Sequence, residues 1–426
     1  MARVAAQLTN FTAGELSPRL DGRVDLAKYP AGCATVENMV IYPHGAAARR
    51  PGTQYIAPVK TSSAKTRLIP FEFSTTQTYI LELGNQYIRF FRDNGQILSG
   101  GSPYEISSPY LTAELFDIKF AQSADVMYIT HPNHKTRKLS RTGHTSWTLT
   151  EVEFTNGPFL DTNTSTTTLT ASGVSGSVTI TASSSTFVST DVGRQVRIGS
   201  GHSKITNFSS ATSVTVTTTT NFPNTNASTD WSLGAFSTTT GHPSCVSFFE
   251  QRLVFAATLN NPQTVYFSKS GDYENMDANI GGTVADDDAI IYTIASNQVN
   301  AIRFMAASRT LIIGTAGGEF TVSGGGDNDA VTPTNVMIKK QSNHGAANTD
   351  AIAVGNATLF LQRAKRKIRE LAYNFDVDGY TAPDLTILAE HVTEGNITEM
   401  AYQEEPLAIV WCVRGDGELV ALTYQR

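Results

Sequence analysis

The commonest pattern along this chain is a short apolar run, a turn bearing Gly, Asn or Asp, and a second apolar run. It recurs from Arg67 to the last residues. Thr78 to Phe91 reads TYILELGNQYIRFF, and Asp125 to Thr130 is followed by Arg137 to Leu139. Arg252 to Ala257 is followed by Thr264 to Ser268, Thr358 to Gln362 by Ile368 to Leu371, and single runs span Thr310 to Ser323 and Ala408 to Leu422. Alternating apolar residues around such turns predict β-hairpins. Equivalent first strands stand 47 residues apart from Tyr79 to Val126, 58 from Leu253 to Leu311, 48 from Leu311 to Leu359 and 50 from Leu359 to Ile409. A period of this size with several strands per repeat predicts propeller blades.

One interval breaks the period. Val126 to Leu253 spans 127 residues, which leaves an insertion of roughly 80 once a repeat is removed. Of the 30 residues from 161 to 190, 18 are Ser or Thr. Composition alone would read as a linker, but 177–181, 195–198, 204–206 and 213–217 alternate like strands, and Trp231 offers a core anchor. The expected organisation is an arm with first strands over 1–56, blades over 57–157, a small inserted β domain over 158–240 with a flexible entry near Thr162 to Thr170, and further blades over 241–426. The fold class is all-β, with a propeller-like body and an extended N-terminal arm. Helix is expected only at Thr112 to Phe120. Either the strand near Thr35 to Tyr42 completes a blade with the last strand, or the chain continues further.

Composition narrows the function classes. Charged residues make up 16%, below the roughly 25% of typical soluble domains, and the formal net charge is -6. That balance disfavours a tight non-specific grip on nucleic acid. Cys33, Cys245 and Cys412 are few and far apart, which speaks against a disulfide framework or a cysteine zinc site and for folding in a reducing compartment. Neither a secretory signal nor an apolar run near the roughly 20 residues of a membrane span is expected.

Few residues carry recognisable chemistry. His131-Pro-Asn-His134 has no obvious third ligand near it in sequence, so a structural role is expected and no metal site is assigned. Asp286 to Asp288 and Asp327-Asn328-Asp329 lack a calcium-loop spacing and read as solvated turns. Gly317-Gly318-Glu319 and Gly324 to Gly326 read as hairpin turns, since no Gly-Lys-Ser/Thr follows either. No catalytic residue and no cofactor is assigned. The sharpest charge feature is Arg363, Lys365, Arg366, Lys367 and Arg369, five cations in seven residues around a predicted turn. It reads as a solvated hairpin tip, or as a contact with DNA or an acidic neighbouring subunit.

The segment before the repeats has neither helix nor strand period. It runs Asn10-Phe-Thr-Ala-Gly14-Glu-Leu-Ser-Pro18-Arg19-Leu-Asp21-Gly-Arg23, then Lys28-Tyr29, Glu37-Asn38 and Arg49-Arg50-Pro51-Gly52-Thr53. Over residues 10–56 it resembles the start of the tail tubular, or nozzle, proteins of short-tailed bacteriophages. The resemblance implies a virion structural protein rather than an enzyme, made in the host cytoplasm and resident in the tail. It implies a hexameric ring that docks to an adaptor ring and to tail fibres or spikes and conducts DNA without sequence specificity. Six copies would carry a formal charge of -36, suited to a conduit that repels its cargo. Arg19, Asp21, Arg23, Arg49, Arg50 and Pro51 are the implied assembly contacts. The alternative is a propeller module that binds glycans or hydrolyses polysaccharide, for which Trp147, Trp231 and Trp411 would be expected outside the core.

Overall fold

A computed structural model describes residues 8–280, 282–295, 299–326 and 329–425. The chain is all-β, among the described residues relieved only by short 3-10 turns, and it divides into two compact units. One comprises residues 56–302 with 322–338; the other comprises the N-terminal 55 residues, 303–321 and 339–426.

In the first unit the hairpins extend into antiparallel meanders. The first is formed by Arg67–Ser74, Gln77–Gly84, Tyr87–Arg92 and Glu105–Ser107, and the second by Lys119–Ser123, Val126–His131, His134–Gly143 and Ser146–Glu151. The third follows after the insertion, as Cys245–Phe249, Arg252–Ala256, Thr264–Phe267 and Ile290–Thr293. The fourth comprises Ile302–Ala307, Leu311–Thr315, Gly318–Ser323 and Met337–Ser342, and the other unit carries the fifth (Ile352–Val354, Ala357–Leu361, Ile368–Asn374, Gly379–Thr381). The sixth has three strands, Ile397–Gln403, Ile409–Arg414 and Leu419–Thr423.

Strand period 2 explains how the meanders pack. Met127 and Ile129 share a core with Ile69, Phe71, Leu81 and Phe90 of the first meander. Tyr128, pointing to the other face, joins Val246, Leu253 and Phe255 of the third. The fifth meander repeats this logic: Leu359 and Leu361 pack with Val410 and Cys412 of the sixth, whereas Phe360 packs with Phe304 and Ile312 of the fourth. Inner strands are therefore buried on both faces and read as largely apolar runs, as in Arg252–Ala256 and Ala357–Leu361, where Arg252 and Thr358 are the polar exceptions. Within each unit, successive meanders that share a core face on face follow the β-propeller mode of construction.

The inserted segment forms one six-stranded sheet in the order Leu169–Ala171, Ser177–Ala182, Ser213–Thr220, Gly201–Ser210, Gln195–Ile198, Trp231–Leu233. Val178, Ile180, Val196, Val214 and Val216 gather with Phe187, Phe222 and Trp231 in a core of its own. The entry near Thr162 to Thr170 is tied down: the Asn163 side-chain amide donates to the carbonyls of Ser165, Thr167 and Thr229. Its Ser/Thr richness serves local hydrogen bonds. Where a helix is expected at Thr112 to Phe120, only Leu115–Asp117 forms a 3-10 turn before the strand Lys119–Ser123 begins. Leu115 and Ile118 enter the core of the first two meanders, and that burial decides the local conformation.

Candidate functional site

The arm is stapled to its own unit by local chemistry. Ser17 Oγ caps the amide of Arg19 and Pro18 opens a 3-10 turn, with a second turn at Tyr29–Ala31. Between them the chain returns, so that Gly14–Glu15 pairs in parallel with Gly32–Cys33. Gly32 lacks a side chain because Leu16 fills the space: a Cβ there would stand 2.2 Å from Leu16 Cδ1. The arm is thus extended only in short stretches, and its two ends are held together.

Three contacts then join it to residues 388–391 of the same unit. The Ser17 amide donates to the Leu388 carbonyl at 2.8 Å, Glu15 Oε1 meets His391 Nε2 at 2.8 Å, and Arg19 pairs with Glu390 at 2.5 Å. The other Glu15 oxygen accepts the Val36 amide at 2.6 Å. Further on, the hairpin Met39–Ile41 with Ala47–Arg49 reaches the last strand, where Thr423 Oγ1 donates to the Ile41 carbonyl. The strand near Thr35 to Tyr42 therefore lies beside the sixth meander through this side-chain contact.

Of the residues implied as assembly contacts, Arg19 is engaged with Glu390, and Arg23 forms a two-pronged pair with Asp25 at 2.8 Å. That hydrogen-bonded pair holds the Asp25 carboxyl down at about 2. Arg50 donates to Asn38 and to the Pro51 carbonyl. Asp21, Arg49 and Pro51 are exposed. Val24 and Tyr55 are 79% and 76% exposed, so the arm shows solvent a mixed apolar and charged rim.

The basic cluster occupies the turn into Ile368–Asn374, with Lys365 at φ 60°. Arg366 pairs with Glu394 at 3.2 Å and Lys367 with Asp384 at 2.9 Å. Arg369 donates to Gln362 and to the Ala382 carbonyl, and Arg363 to the Ala316 carbonyl. Much of this charge is answered within the chain, although Arg363, Arg366 and Lys367 remain exposed.

His131 and His134 have a neighbour that sequence does not announce. The 3-10 segment brings Glu114 to them, and ligating atoms of all three residues lie within 4.8 Å of one another. His134 Nε2 is 2.9 Å from Glu114 Oε2, which also accepts the Leu111 amide. Burial, then the neighbouring His134, pushes the His131 pKa down. Burial opposes ionisation of Glu114, but the Leu111 amide and His134 outweigh it and leave its pKa lowered. Nothing in the sequence ties residue 114 to 131, because the link is made by the meander's packing.

The other candidates are turns. Asp288 is taken by Lys269 at 2.8 Å and by the Ala285 amide, while Arg252 collects the carbonyls of Asp286 and Asp288. Gly317 and Gly318 turn the hairpin between Leu311–Thr315 and Gly318–Ser323, where Thr315 Oγ1 donates to the Gly318 carbonyl. Asp327 and Asn328 lie outside the described residues. Trp147 and Trp231 are core residues, and Trp411 is partly buried with its indole N–H on Gln403. Among the described residues no helix is long and apolar enough to cross a membrane.

No family model and no curated protein matches this chain. Among solved structures it is similar to a streptogramin B lyase, at 12% identity over 81% of this chain and 90% of that one, with a TM-score of 0.34. It is also similar to the β-propeller domain of Cps50 (Swd1) from Myceliophteria thermophila, at 7% identity over 82% and 80%, with a TM-score of 0.40. YCF48 bound to D1 peptide is a third, at 10% identity over 87% and 98%, with a TM-score of 0.36. At these scores the likenesses carry no argument of their own. The class of the protein, an all-β chain with a propeller-like body, follows from its meanders and their shared cores.

Proposed function

We propose that the chain is a structural component of a short bacteriophage tail, the nozzle, which assembles as a ring of about six copies and conducts DNA during genome ejection. Docking to an adaptor ring and to tail fibres or spikes belongs to the same reading. The observation that carries it is the arm. Residues 10–56, where the resemblance lies, fold outside the stacked cores, anchored at Glu15, Ser17 and Arg19. Val24, Arg23, Arg49 and Pro51 of this segment face solvent, as a surface made for another copy or another ring would require.

The full chain should scatter light as a ring of about six subunits, alone or once its adaptor is added. Deletion of residues 1–32 should abolish this assembly, and so should Arg49→Glu, which reverses an exposed charge and leaves the melting temperature unchanged. A stable monomer that cleaves polysaccharide would overturn the proposal in favour of a propeller enzyme.

A further inference from the structure

The second meander holds a cluster that assembly does not use. Val126–His131 ends on His131, His134–Gly143 begins on His134, and Pro132-Asn133 between them is too short to separate the imidazoles. Their ring centres stand 5.0 Å apart. His131 is 1% exposed, and its Nε2 is buried without a hydrogen-bond partner. Tyr110 packs edge-on against His134 at 5.2 Å, and its own hydroxyl is likewise buried and unpartnered. Buried polar atoms are normally satisfied, so two such orphans beside three ligating side chains point to a ligand held there.

We propose that Glu114, His131 and His134 bind one divalent transition-metal ion of the zinc type, clipping the segment before the second meander to that meander's hairpin. Two imidazoles and a carboxylate suit Zn2+, which completes four-coordination with a water or a nearby oxygen. Ca2+ would ask for six to eight oxygens, which these side chains do not offer.

Entry of the ion requires small, identifiable movements. The 2.9 Å contact between His134 and Glu114 is replaced by two bonds to the metal, and both side chains have the partial exposure to shift. His131 Nδ1 now accepts the Asn133 amide at 3.1 Å, which places the ring proton on Nε2. Ligation through Nε2 moves that proton to Nδ1 and gives up this contact. Asn133 is exposed, so its amide can turn to water.

Calorimetry of the full chain with Zn2+ alone should find one ion per chain, and the melting temperature should rise with added Zn2+. His134→Ala and Glu114→Gln should each weaken binding by more than about 100-fold, since changes even outside the ligand shell cost 10–100-fold. Glu114→Gln keeps an acceptor for the Leu111 amide, so its metal-free melting temperature serves as the folding control. His44→Ala, an exposed histidine elsewhere, should bind as wild type does. Failure to saturate near one Zn2+ per chain, or wild-type uptake by both ligand variants, would overturn the proposal.

Discussion

Truncating Leu16 tests whether the arm is held by packing or only decorated with polar contacts. Leu16 is 7% exposed and its Cδ1 lies against the backbone of Gly32, so Leu16→Ala removes nearly a full side chain from a tight contact. Leu→Ala changes in cores cost 2–5 kcal/mol; at a thin two-strand edge that partly collapses, the low end, about 2 kcal/mol, is expected. The loss should fall on a local opening rather than on the whole chain. Three amides report that opening: Leu16 to the Cys33 carbonyl, Ser17 to the Leu388 carbonyl and Val36 to the Glu15 carboxylate. Native-state hydrogen exchange should show all three speeding up by about 30-fold, the equivalent of 2 kcal/mol. Phe360 and Leu371, in the core of the fourth and fifth meanders, should keep their rates. Unchanged rates in the arm would mean that Leu16 is not its anchor, and equal acceleration everywhere would mean that the arm has no separate opening.

Two further outcomes follow from buried charge in the inserted sheet. Asp191 and Arg194 pair at 2.9 Å with side chains 1% and 5% exposed, so Asp191→Ala strands a buried guanidinium and should lower stability by about 3–5 kcal/mol in denaturant titration. Glu153→Ala, which breaks a pair with Lys204 whose side chains are 67% and 38% exposed, should cost about 1 kcal/mol or less; equal losses would refute the distinction. His202 has its pKa pushed down by burial first and by Arg197, with Asp277 opposing. The unfolded chain therefore binds this proton more readily than the folded one. The His202 contribution is full above about pH 6.5 and is lost as pH falls below it, by at most about 1.4 kcal/mol per pH unit. His202→Gln should flatten the urea midpoint between pH 6.5 and 5, and an unaltered slope would sink the assignment.

The repeat was legible because apolar runs flank each hairpin turn in the sequence, and burial on both faces explains why the inner strand Arg252–Ala256 is apolar at every position after Arg252. Trp231 marked the core of the inserted sheet for the same reason. What stayed hidden was long-range pairing. Glu15 meets His391 across 376 residues, and Glu114 meets two histidines only after two meanders have packed. Neither pair has a local spacing from which to read it. The basic cluster was visible as charge, but Glu394 and Asp384, which answer part of it, come from other loops.

The inserted sheet leaves the body and returns to it almost at one point. The Leu160 amide donates to the Leu233 carbonyl, and Phe159 bridges Gly234, so the two ends are held one ladder rung apart. Entropy of loop closure grows with the distance in sequence between points that must be brought together, and here the guest sheet closes itself. To the body, the long interval therefore behaves like a short surface turn. Tyr128 and Val152 still reach Leu253 and Phe255 as neighbours in one core. The sheet could be exchanged for another of similar mouth width with little effect on the meanders, so the scaffold beneath it keeps its stability whatever the insertion becomes.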